Sequence, residues 1–476
     1  RSTLFPYTTL FRSQPLPKGE KLKMKLTIIG GGGVRSLFLA KSVASQAEAL
    51  GIDRLVLMDT DPTKLKIYGG LARDTANFLE PSLRVELTED ANEALTDADA
   101  VITTIRAGGD ELRVEDEKIV EELDLLPQET TGACGFAFAM RSIPALVRYC
   151  ELTRKTAKKG APIFNFTNPA GLVTQALQDR GYESALGICD APTSLFGQIA
   201  KMENVPSVAV DAECFGLNHL SWFRSVRIQG EDRTQRLLHD PRLYRETDMK
   251  FFEPALVQPY GALFNEYLYY YYYREQAVAN IRRAGTTRGR QIMEINRAMT
   301  AAFQESAAQS LEERLAIFET YYGQRENAYM AAETGKKRNQ EYRLDLNAAE
   351  DGGYAGVALR YLRIRQTGKP GRMILSVRNR DAIPFLEADD VAELSCTIDP
   401  DGSIRPDRLI EPLHPVAEEL IRRMKLYERC AASAILNRDR ALARDALQLH
   451  PLIASYSLAS RLVDRFWEKY ERFFEG

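Results

Sequence analysis

The sequence is poor in the residues and runs that mark several specialised classes of protein. Its 476 residues include only four histidines, two tryptophans and six cysteines, and no uninterrupted apolar run reaches eighteen residues. The missing apolar run excludes a transmembrane helix of ordinary length. The cysteines have no regular spacing, which excludes a disulfide framework. We therefore expect a reduced, cytoplasmic protein that does not span a membrane.

The charge balance also excludes some partners. The chain has 63 basic and 66 acidic residues, a net charge of −3, and no basic block. We therefore expect no nucleic acid and no anionic membrane surface as partner. Charged residues at 27% and hydrophobic residues at 45% are typical of a globular protein. The length favours two domains rather than one.

The first 23 residues do not resemble a natural leader. Residues 3–13, TLFPYTTLFRS, read like the translation of a common sequencing adapter. They lack the basic start, the longer apolar run and the small-residue cleavage site of a signal peptide. We expect residues 1–23 to be a non-native or disordered tail and the natural chain to begin at Met24.

Strand and helix patterns alternate from Met24 to about residue 200. Short apolar strands are predicted in MKLTIIG, RLVLMDTD, DADAVITTI, APIFNFTN and ALGICD, with helical patterns between them. This alternation predicts βαβ units and a Rossmann-type parallel sheet. Beyond it, AECFGLNHLSWFRSVRIQG predicts antiparallel strands, long helices are expected from about 262 to 345, and residues 372–399 are again strand-like. We expect a mixed α/β domain over 201–476.

A glycine-rich turn follows the first predicted strand. Gly30, Gly31, Gly32 and Gly33 separate that strand from a helix, where a dinucleotide pyrophosphate needs close backbone approach and N–H donors. Asp59 ends the next strand, where a carboxylate accepts hydrogen bonds from ribose hydroxyls and favours NAD over NADP. The third glycine of the full fingerprint is missing, and these glycines could form a purely structural turn. Together with Asp59 they predict NAD binding over 24–200.

One cysteine and one histidine are candidate metal ligands. Cys189 follows the fifth predicted strand, and His219 lies on a separate element between apolar residues. A thiolate and an imidazole can bind a divalent transition metal and leave positions open for substrate oxygens. However, a histidine in such a setting is often a core residue, and most free cysteines behave as small buried hydrophobes. The two residues alone leave both interpretations open.

An ordered set of motifs resembles glycoside hydrolase family 4. The motifs are RAGGDELRVEDEKI, QETTGACG, MRSIPAL, NFTNPAG, GICDAP, GLNHLSW and EYLYYYY, and the resemblance extends from Met24 to the C-terminus. It implies an NAD- and metal-dependent glycosidase, in a family where many members act on 6-phosphoglycosides. The implied fold belongs to the lactate/malate dehydrogenase-like superfamily. The implied partner is a small-molecule glycoside, and we expect a homodimer or homotetramer.

The resemblance also assigns roles to residues. It implies that Cys189 and His219 hold Mn²⁺, that Tyr267 is the catalytic base, and that Asp190 protonates the leaving group. The substrate contacts that it implies are Arg113, Glu129, Asn168 and Arg288.

Each of these residues also has a plainer interpretation. Arg113 and Glu129 could be solvated charges, Asn168 a turn residue before proline, and the tyrosine run 269–273 part of a core. A tyrosine base at Tyr267 also needs a lowered pKa, which a nearby metal would favour.

The glycine loop departs from the family pattern. Many members continue with serine, an aromatic residue and proline, whereas this chain has Gly33-Val34-Arg35-Ser36. Either Arg35 takes over phosphate recognition or the substrate is unphosphorylated.

The implied mechanism is an oxidation and elimination rather than a direct displacement. NAD takes hydride from carbon 3 of the sugar, Tyr267 removes the proton from carbon 2, the aglycone leaves, water adds, and the hydride returns. One alternative is an NAD-dependent 2-hydroxy acid dehydrogenase of the lactate/malate type, with His219 as base and Cys189 idle. Another is an NAD-binding regulator without catalysis.

Overall fold

The structure is a computed structural model that describes residues 23–306, 310–336, 342–346 and 355–474. The predicted tail lies outside the described residues, except for Lys23. The strands are β1 Met24–Ile29, β2 Ile52–Met58, β3 Arg84–Thr88, β4 Ala100–Thr103, β5 Ile163–Asn165, β6 Ala185–Gly187, β7 Val210–Leu217, β8 Leu220–Ile228, β9 Glu231–Asp232, β10 Leu263–Phe264, β11 Gly371–Arg378, β12 Val391–Ile398 and β13 Ile404–Pro406.

The helices follow the same order along the described chain. In the first half they are α1 Ser36–Ala44, α2 Ala47–Leu50, α3 Pro62–Lys64, α4 Gly70–Leu79, α5 Ala91–Leu95, α6 Gly109–Glu121, α7 Gly132–Thr156, α8 Ala170–Asp179 and α9 Ala191–Glu203. In the second half they are α10 Thr234–Leu238, α11 Leu243–Glu246, α12 Pro254–Val257, α13 Tyr269–Tyr272, α14 Arg274–Ala284, α15 Arg288–Glu305, α16 Leu311–Asn327, α17 Ala331–Thr334, α18 Gly356–Thr367, α19 Pro415–Asn437, α20 Arg440–Leu449 and α21 Tyr456–Tyr470.

A nine-stranded sheet forms the centre of the molecule. Its order is β13-β12-β11-β6-β5-β4-β1-β2-β3, and the six strands β1 to β6 are parallel. Helices cover such a sheet on both faces, so its strands read as continuous apolar runs like MKLTII in β1. The strand order reverses between β1 and β4, which is where ligands bind in doubly wound sheets. The Rossmann-type prediction is confirmed.

The predicted antiparallel strands after residue 200 are also confirmed. β7 and β8 form a hairpin, and β10 and β9 pair with β8. The Ser395 hydroxyl on β12 accepts from the backbone N–H of Cys214 and donates to the carbonyl of Ala212. This contact fixes the hairpin against the edge of the large sheet. The helical stretch expected from about 262 begins later, because Leu263–Phe264 belongs to β10.

Strands from the second half of the chain extend the parallel sheet. β11 pairs antiparallel with β6 through Ser376 and Gly187. A Cβ atom at Gly187 would lie 2.6 Å from the Cβ of Ser376, so this close pairing requires glycine. The sheet therefore continues through residues on both sides of position 200. Among the described residues, no helix is long and apolar enough to cross a membrane.

Candidate active site

A cavity of about 830 Å³ opens at the carboxyl ends of the parallel strands. This volume is typical of a small-molecule site. The loops after β1, β2, β4 and β5 form one wall, and residues from the second half of the chain form the other. The predicted site residues in its lining are Gly30, Gly32, Gly33, Asp59, Arg113, Glu129, Asn168, Tyr267 and Arg288.

The glycine loop forms a tight turn at one end of the cavity. Gly30 has φ +100°, and a Cβ atom there would lie 2.7 Å from the carbonyl oxygen of Thr104. A Cβ atom on Gly32 would lie 2.9 Å from the carboxylate of Asp59, and one on Gly31 would meet Leu57. These glycines therefore let the loop pack closely against the neighbouring strands. Gly31 lies beneath the loop and does not line the cavity.

Asp59 accepts hydrogen bonds from the glycine loop and can still accept hydrogen bonds from a ligand. Its carboxylate accepts N–H groups from Gly32 at 2.9 Å and from Asp61 at 3.1 Å. A carboxylate can accept about four hydrogen bonds, so two remain for ribose hydroxyls. The glycines and the half-buried carboxylate fit NAD, as the sequence predicted, although the N–H of Gly32 already has a partner.

Arg113 and Glu129 line the cavity but bind each other. The two Glu129 oxygens lie 2.6 Å from Arg106 Nη2 and 2.6 Å from Arg113 Nη1. Burial alone would raise the pKa of Glu129, but the two guanidinium groups lower it to about 2. Arg113 also donates to Glu117 at 3.0 Å. Arg113 and Glu129 are therefore paired with each other rather than solvated. Any sugar contact would use the hydrogen-bonding capacity that remains on these side chains.

Arg288 has unused donor capacity in the cavity wall. Its Nη2 donates to the carbonyl of Arg325 at 2.8 Å. Its Nη1 is buried and has no hydrogen-bond partner among the described residues. Burial and the nearby charges of Arg113 and Arg325 lower the pKa of Arg288 to about 10. A cation in this state favours an anionic ligand. Arg35 lines the same cavity.

Asn168 follows β5 at the edge where ligands bind in this fold. Its side chain lines the cavity, and its Oδ1 accepts the N–H of Ala170 at 3.4 Å. The turn role and the ligand-facing role are therefore compatible, because Asn168 accepts the N–H of the first residue of α8 and also lines the cavity.

His219 occupies the tight turn between β7 and β8. Leu217 pairs with Leu220, and His219 has φ +63°, a left-handed conformation that few residues other than glycine adopt. The imidazole stacks on Tyr267 with ring centres 3.8 Å apart and planes within 4°. Burial lowers the pKa of His219 to about 3, so the ring is neutral. A neutral imidazole is the form that binds metals.

Cys189 and Asp190 follow β6 and precede α9. Burial raises the pKa of the Cys189 thiol, the charges of Glu393 and Asp190 raise it further, and a hydrogen bond from Asn218 acts against them. Asn218 also donates to Glu393 at 3.1 Å, and Ser221 donates to the same carboxylate at 2.7 Å. The turn that carries His219 is thus connected to Cys189 through one amide side chain.

Tyr267 brings the two halves of the site together. It lines the cavity, stacks on His219, and is close enough to Cys189 and Asp190 for their charges to act on it. Burial, together with Glu266, raises its pKa well above the usual range. The protein groups alone therefore oppose the lowered pKa that a tyrosine base needs, and a cation would have to supply the difference.

The remaining tyrosines of the run pack against neighbouring side chains, and one of them, Tyr270, also lines the cavity. Tyr269 and Tyr270 are buried, and the Tyr271 hydroxyl lies 2.6 Å from Thr131 Oγ1. Tyr272 donates to Tyr260 at 2.9 Å, away from the cavity.

The donor chemistry of Cys189 and His219 fits a metal with incomplete protein ligation. The described residues contain no cluster of three or more His, Cys, Asp or Glu side chains able to hold a metal. A thiol and a neutral imidazole on neighbouring elements leave open positions for substrate oxygens, which a closed structural zinc site does not.

Several residues around this site were not among the candidates that the sequence suggested. Arg106 clamps Glu129, Glu393 lies beneath the His219 turn, and Thr130 contacts the His219 ring. Arg106 and Thr130 had a sequence signal, because they belong to the RAGGDELRVEDEKI and QETTGACG motifs, whereas Glu393 belongs to neither.

The sheet order and the cavity place the chain among α/β proteins with a Rossmann-type nucleotide-binding sheet. The sequence pattern of the family described as Family 4 glycosyl hydrolase matches residues 25–205, and that of the Family 4 glycosyl hydrolase C-terminal domain matches residues 214–453. The chain therefore belongs to glycosyl hydrolase family 4, as the ordered motifs predicted. Family membership makes the chain a glycoside hydrolase and favours this activity over the dehydrogenase alternative.

Relatives of nearly the same length are phosphoglucosidases. The 6-phospho-beta-glucosidase BglT of Thermotoga maritima is 28% identical, over 94% of this chain and 98% of that protein. The phospho-alpha-glucosidase PagL of Clostridium acetobutylicum is 25% identical, over 93% and 96%. A solved structure of the Thermotoga maritima 6-phospho-beta-glucosidase with manganese, NAD+ and glucose-6-phosphate has a TM-score of 0.78 at 27% identity, covering 94% of this chain and 99% of that one.

Proposed function

We propose that this glycosidase hydrolyses 6-phosphoglucosides with NAD and with Mn²⁺ or another divalent metal. The observation that carries the substrate class is the buried Nη1 of Arg288, a charged donor without a hydrogen-bond partner among the described residues, in the wall of the cavity. A phosphate dianion would satisfy it. Arg35 in the same wall supports the alternative in which it replaces the usual family segment in phosphate recognition. The solved relative that contains glucose-6-phosphate adds support.

The cofactor and the metal have separate binding residues in this proposal. Residues 24–200 hold NAD through the glycine loop and Asp59, and residues 201–476 contribute His219 and Tyr267. Cys189, at the end of the first segment, completes the metal pair with His219. When bound, NAD supplies reversible hydride transfer at carbon 3, and the metal supplies a positive charge that polarises the oxygen beside it.

The side chains of the protein then move protons. Tyr267 accepts the proton from carbon 2, and its position against His219 and near Cys189 supports this role. Asp190 protonates the leaving oxygen. Asn168 orients the sugar, together with the hydrogen-bond donors of Arg113 that are not used in its pairing with Glu129.

The proposal extends to compartment and assembly. The described cysteines are all free, and a thiol ligand at Cys189 must stay reduced, which supports a cytoplasmic location. We propose a homodimer or homotetramer, in which exposed apolar side chains such as Ile410, Val416 and Leu426 would be covered.

Nitrophenyl glucosides with and without a 6-phosphate, in both anomers, test this function in the presence of NAD, Mn²⁺ and thiol. We expect hydrolysis of a phosphorylated compound that requires NAD without net NADH, and exchange of the carbon 2 hydrogen with solvent deuterium, seen by NMR. Tyr267→Phe should abolish exchange and turnover together. Tyr272→Phe, which removes a hydroxyl outside the cavity, is the control and should retain both. Hydrolysis without NAD and without exchange would contradict the mechanism.

A further inference from the structure

The environment of His219 contains a hydrogen-bond chain that ends on its ring. His219 Nδ1 lies 3.1 Å from the hydroxyl oxygen of Thr130. The same hydroxyl lies 3.0 Å from Oε1 of Gln128. Gln128 Oε1 also accepts the backbone N–H groups of Thr130 at 2.7 Å and Thr131 at 3.0 Å. Gln128 and Thr130 belong to the QETTGACG segment, and His219 contacts this segment through Thr130.

The direction of this chain follows from its donors and acceptors. Two backbone N–H groups point at the Gln128 side chain, so the atom they meet must be the amide oxygen. The single hydroxyl hydrogen of Thr130 then donates to that oxygen. The Thr130 oxygen has only lone pairs left for His219, so Nδ1 must carry the hydrogen. A neutral imidazole with hydrogen on Nδ1 has its lone pair on Nε2.

Other contacts of His219 restrain the ring but do not choose between its nitrogens. Stacking on Tyr267 fixes the plane of the ring, and the left-handed turn fixes the position of its backbone. Both restraints are unchanged when the ring turns over by 180°, which exchanges Nδ1 with a carbon. Among the hydrogen bonds of the described residues, the one between His219 Nδ1 and Thr130 distinguishes the two orientations.

We propose that Thr130, held by Gln128, is a positioning residue that keeps His219 in the Nδ1–H tautomer and presents Nε2 to the metal. This inference rests on the proposed metal site. Outer hydrogen bonds to metal-binding histidines generally fix the tautomer and orientation, and their loss typically weakens metal affinity by about 10- to 100-fold. Thr130 thus links the loop that carries Glu129 to the metal half of the site.

The first measurement reads the tautomer without metal or activity. The chain has only four histidines, so selective ¹⁵N labelling of histidine rings in the full-length protein with NAD gives few signals. His219→Ala assigns the His219 signals. We expect two-bond ¹H–¹⁵N correlations of the Nδ1–H pattern for His219, and loss of that single pattern in Thr130→Val. An Nε2–H pattern in the unsubstituted protein would overturn the proposal.

The second measurement is Mn²⁺ affinity, followed by the EPR signal of free Mn²⁺. We expect Thr130→Val to bind Mn²⁺ about 10- to 100-fold more weakly, and Thr130→Ser, which restores the hydroxyl, to approach the unsubstituted protein. Thr131→Val is the matched control, because it removes the neighbouring hydroxyl, which contacts Tyr271. It should bind Mn²⁺ normally. NAD affinity and near-UV circular dichroism check that each variant is folded.

The outcomes separate this inference from the metal site on which it depends. If His219→Ala and Cys189→Ser bind Mn²⁺ as well as the unsubstituted protein, the metal site itself is wrong. If those variants lose the metal while Thr130→Val keeps full affinity and the Nδ1–H pattern, the role of Thr130 is wrong. Equal weakening in Thr130→Val and Thr131→Val would likewise overturn it, by indicating a general loosening of the loop.

Discussion

A positive charge that is buried without full hydrogen bonding is costly for a protein to maintain unless a ligand compensates it. Arg288 is in this state: one nitrogen donates to a carbonyl, another is buried without a partner among the described residues, and Arg113 and Arg325 add like charge nearby. The chain tolerates this cost at the cavity wall, where an anion can bind. In the proposed function, Arg288 is therefore the residue that we expect to distinguish phosphorylated from neutral substrates.

Arg288→Met keeps much of the side-chain volume and removes the charge. We expect kcat/KM for a phosphorylated glucoside to fall by about 10- to 100-fold, because a hydrogen bond to a charged group contributes about 1.5–3 kcal/mol. Any activity on the unphosphorylated analogue should be unchanged. Arg290→Met, two residues along the same helix and paired with Glu121 on the surface, is the control. Equal losses on both substrates would contradict a phosphate role for Arg288.

At the residue scale the sequence indicated the candidate catalytic and metal-binding residues better than the residues that contact them. Cys189, His219 and Tyr267 could be chosen because the ordered motifs contain them. Glu393 could not, because it lies 175 positions from Asn218 along the chain and contacts it only after folding. The partnership of Arg113 with Glu129 was missed for the same reason, since charge pairs are decided by three-dimensional proximity rather than by spacing.

Among the elements, the junction between the loop after β4, α6 and the loop before α7 depends on one carboxylate. Glu129 contacts Arg106 in the loop after β4 and Arg113 in α6. The three side chains therefore connect segments that otherwise only border the cavity. Because the two guanidinium groups lower the pKa of Glu129 to about 2, this connection has a defined dependence on pH.

Glu129→Gln should destabilise the protein most near neutral pH. The folded pKa of Glu129 lies below its unfolded value of about 4.5, so its stabilisation is full above that value and is lost as pH falls toward 2. The difference in unfolding free energy between the two proteins should be on the order of 3 kcal/mol at pH 7 and should fall by about half by pH 3. Urea unfolding at several pH values measures it. A difference independent of pH would contradict the ionic role.

A surface pair gives the matched control for this pH series. Glu121→Gln removes the half-exposed partner of Arg290. We expect it to change the unfolding free energy by less than about 1 kcal/mol, because exposed ion pairs contribute little.

The elements themselves were predictable where their pattern was local. The alternation of apolar strands and helices predicted the parallel sheet, and the stretch AECFGLNHLSWFRSVRIQG predicted antiparallel strands, which the structure forms as β7 and β8. The pairing of β11 with β6 was not predictable, because the strand-like pattern of residues 372–399 indicates a strand but not its neighbour. The short β10, which is only two residues long, lacks enough pattern to compete with the helical signal around it.

The whole molecule is joined across position 200 by more than the sheet. The Tyr470 hydroxyl in α21 donates to Asp116 in α6, and its ring lies 4.4 Å from the guanidinium carbon of Arg141 in α7. His450, in the second half, accepts the N–H of Gly132 at the start of α7. The segment 24–200 therefore completes its helix packing, the hydrogen bonding at the start of α7 and its strand pairing with residues from the second half of the chain.

A fragment ending at Val205 tests whether this dependence is structural. It loses β11, which pairs with β6, and it loses the Tyr470 bond to Asp116 and the His450 bond to Gly132. Buried polar groups and an edge strand therefore become exposed. We expect the fragment 24–205 to show no cooperative urea transition and to bind NAD at least about tenfold more weakly than the full chain. Far-UV circular dichroism and fluorescence of the full chain should give one coincident transition, because its core is continuous. A fragment that unfolds sharply and binds NAD with full-chain affinity would contradict this, and would mean that residues 24–205 form an independent domain despite the shared sheet.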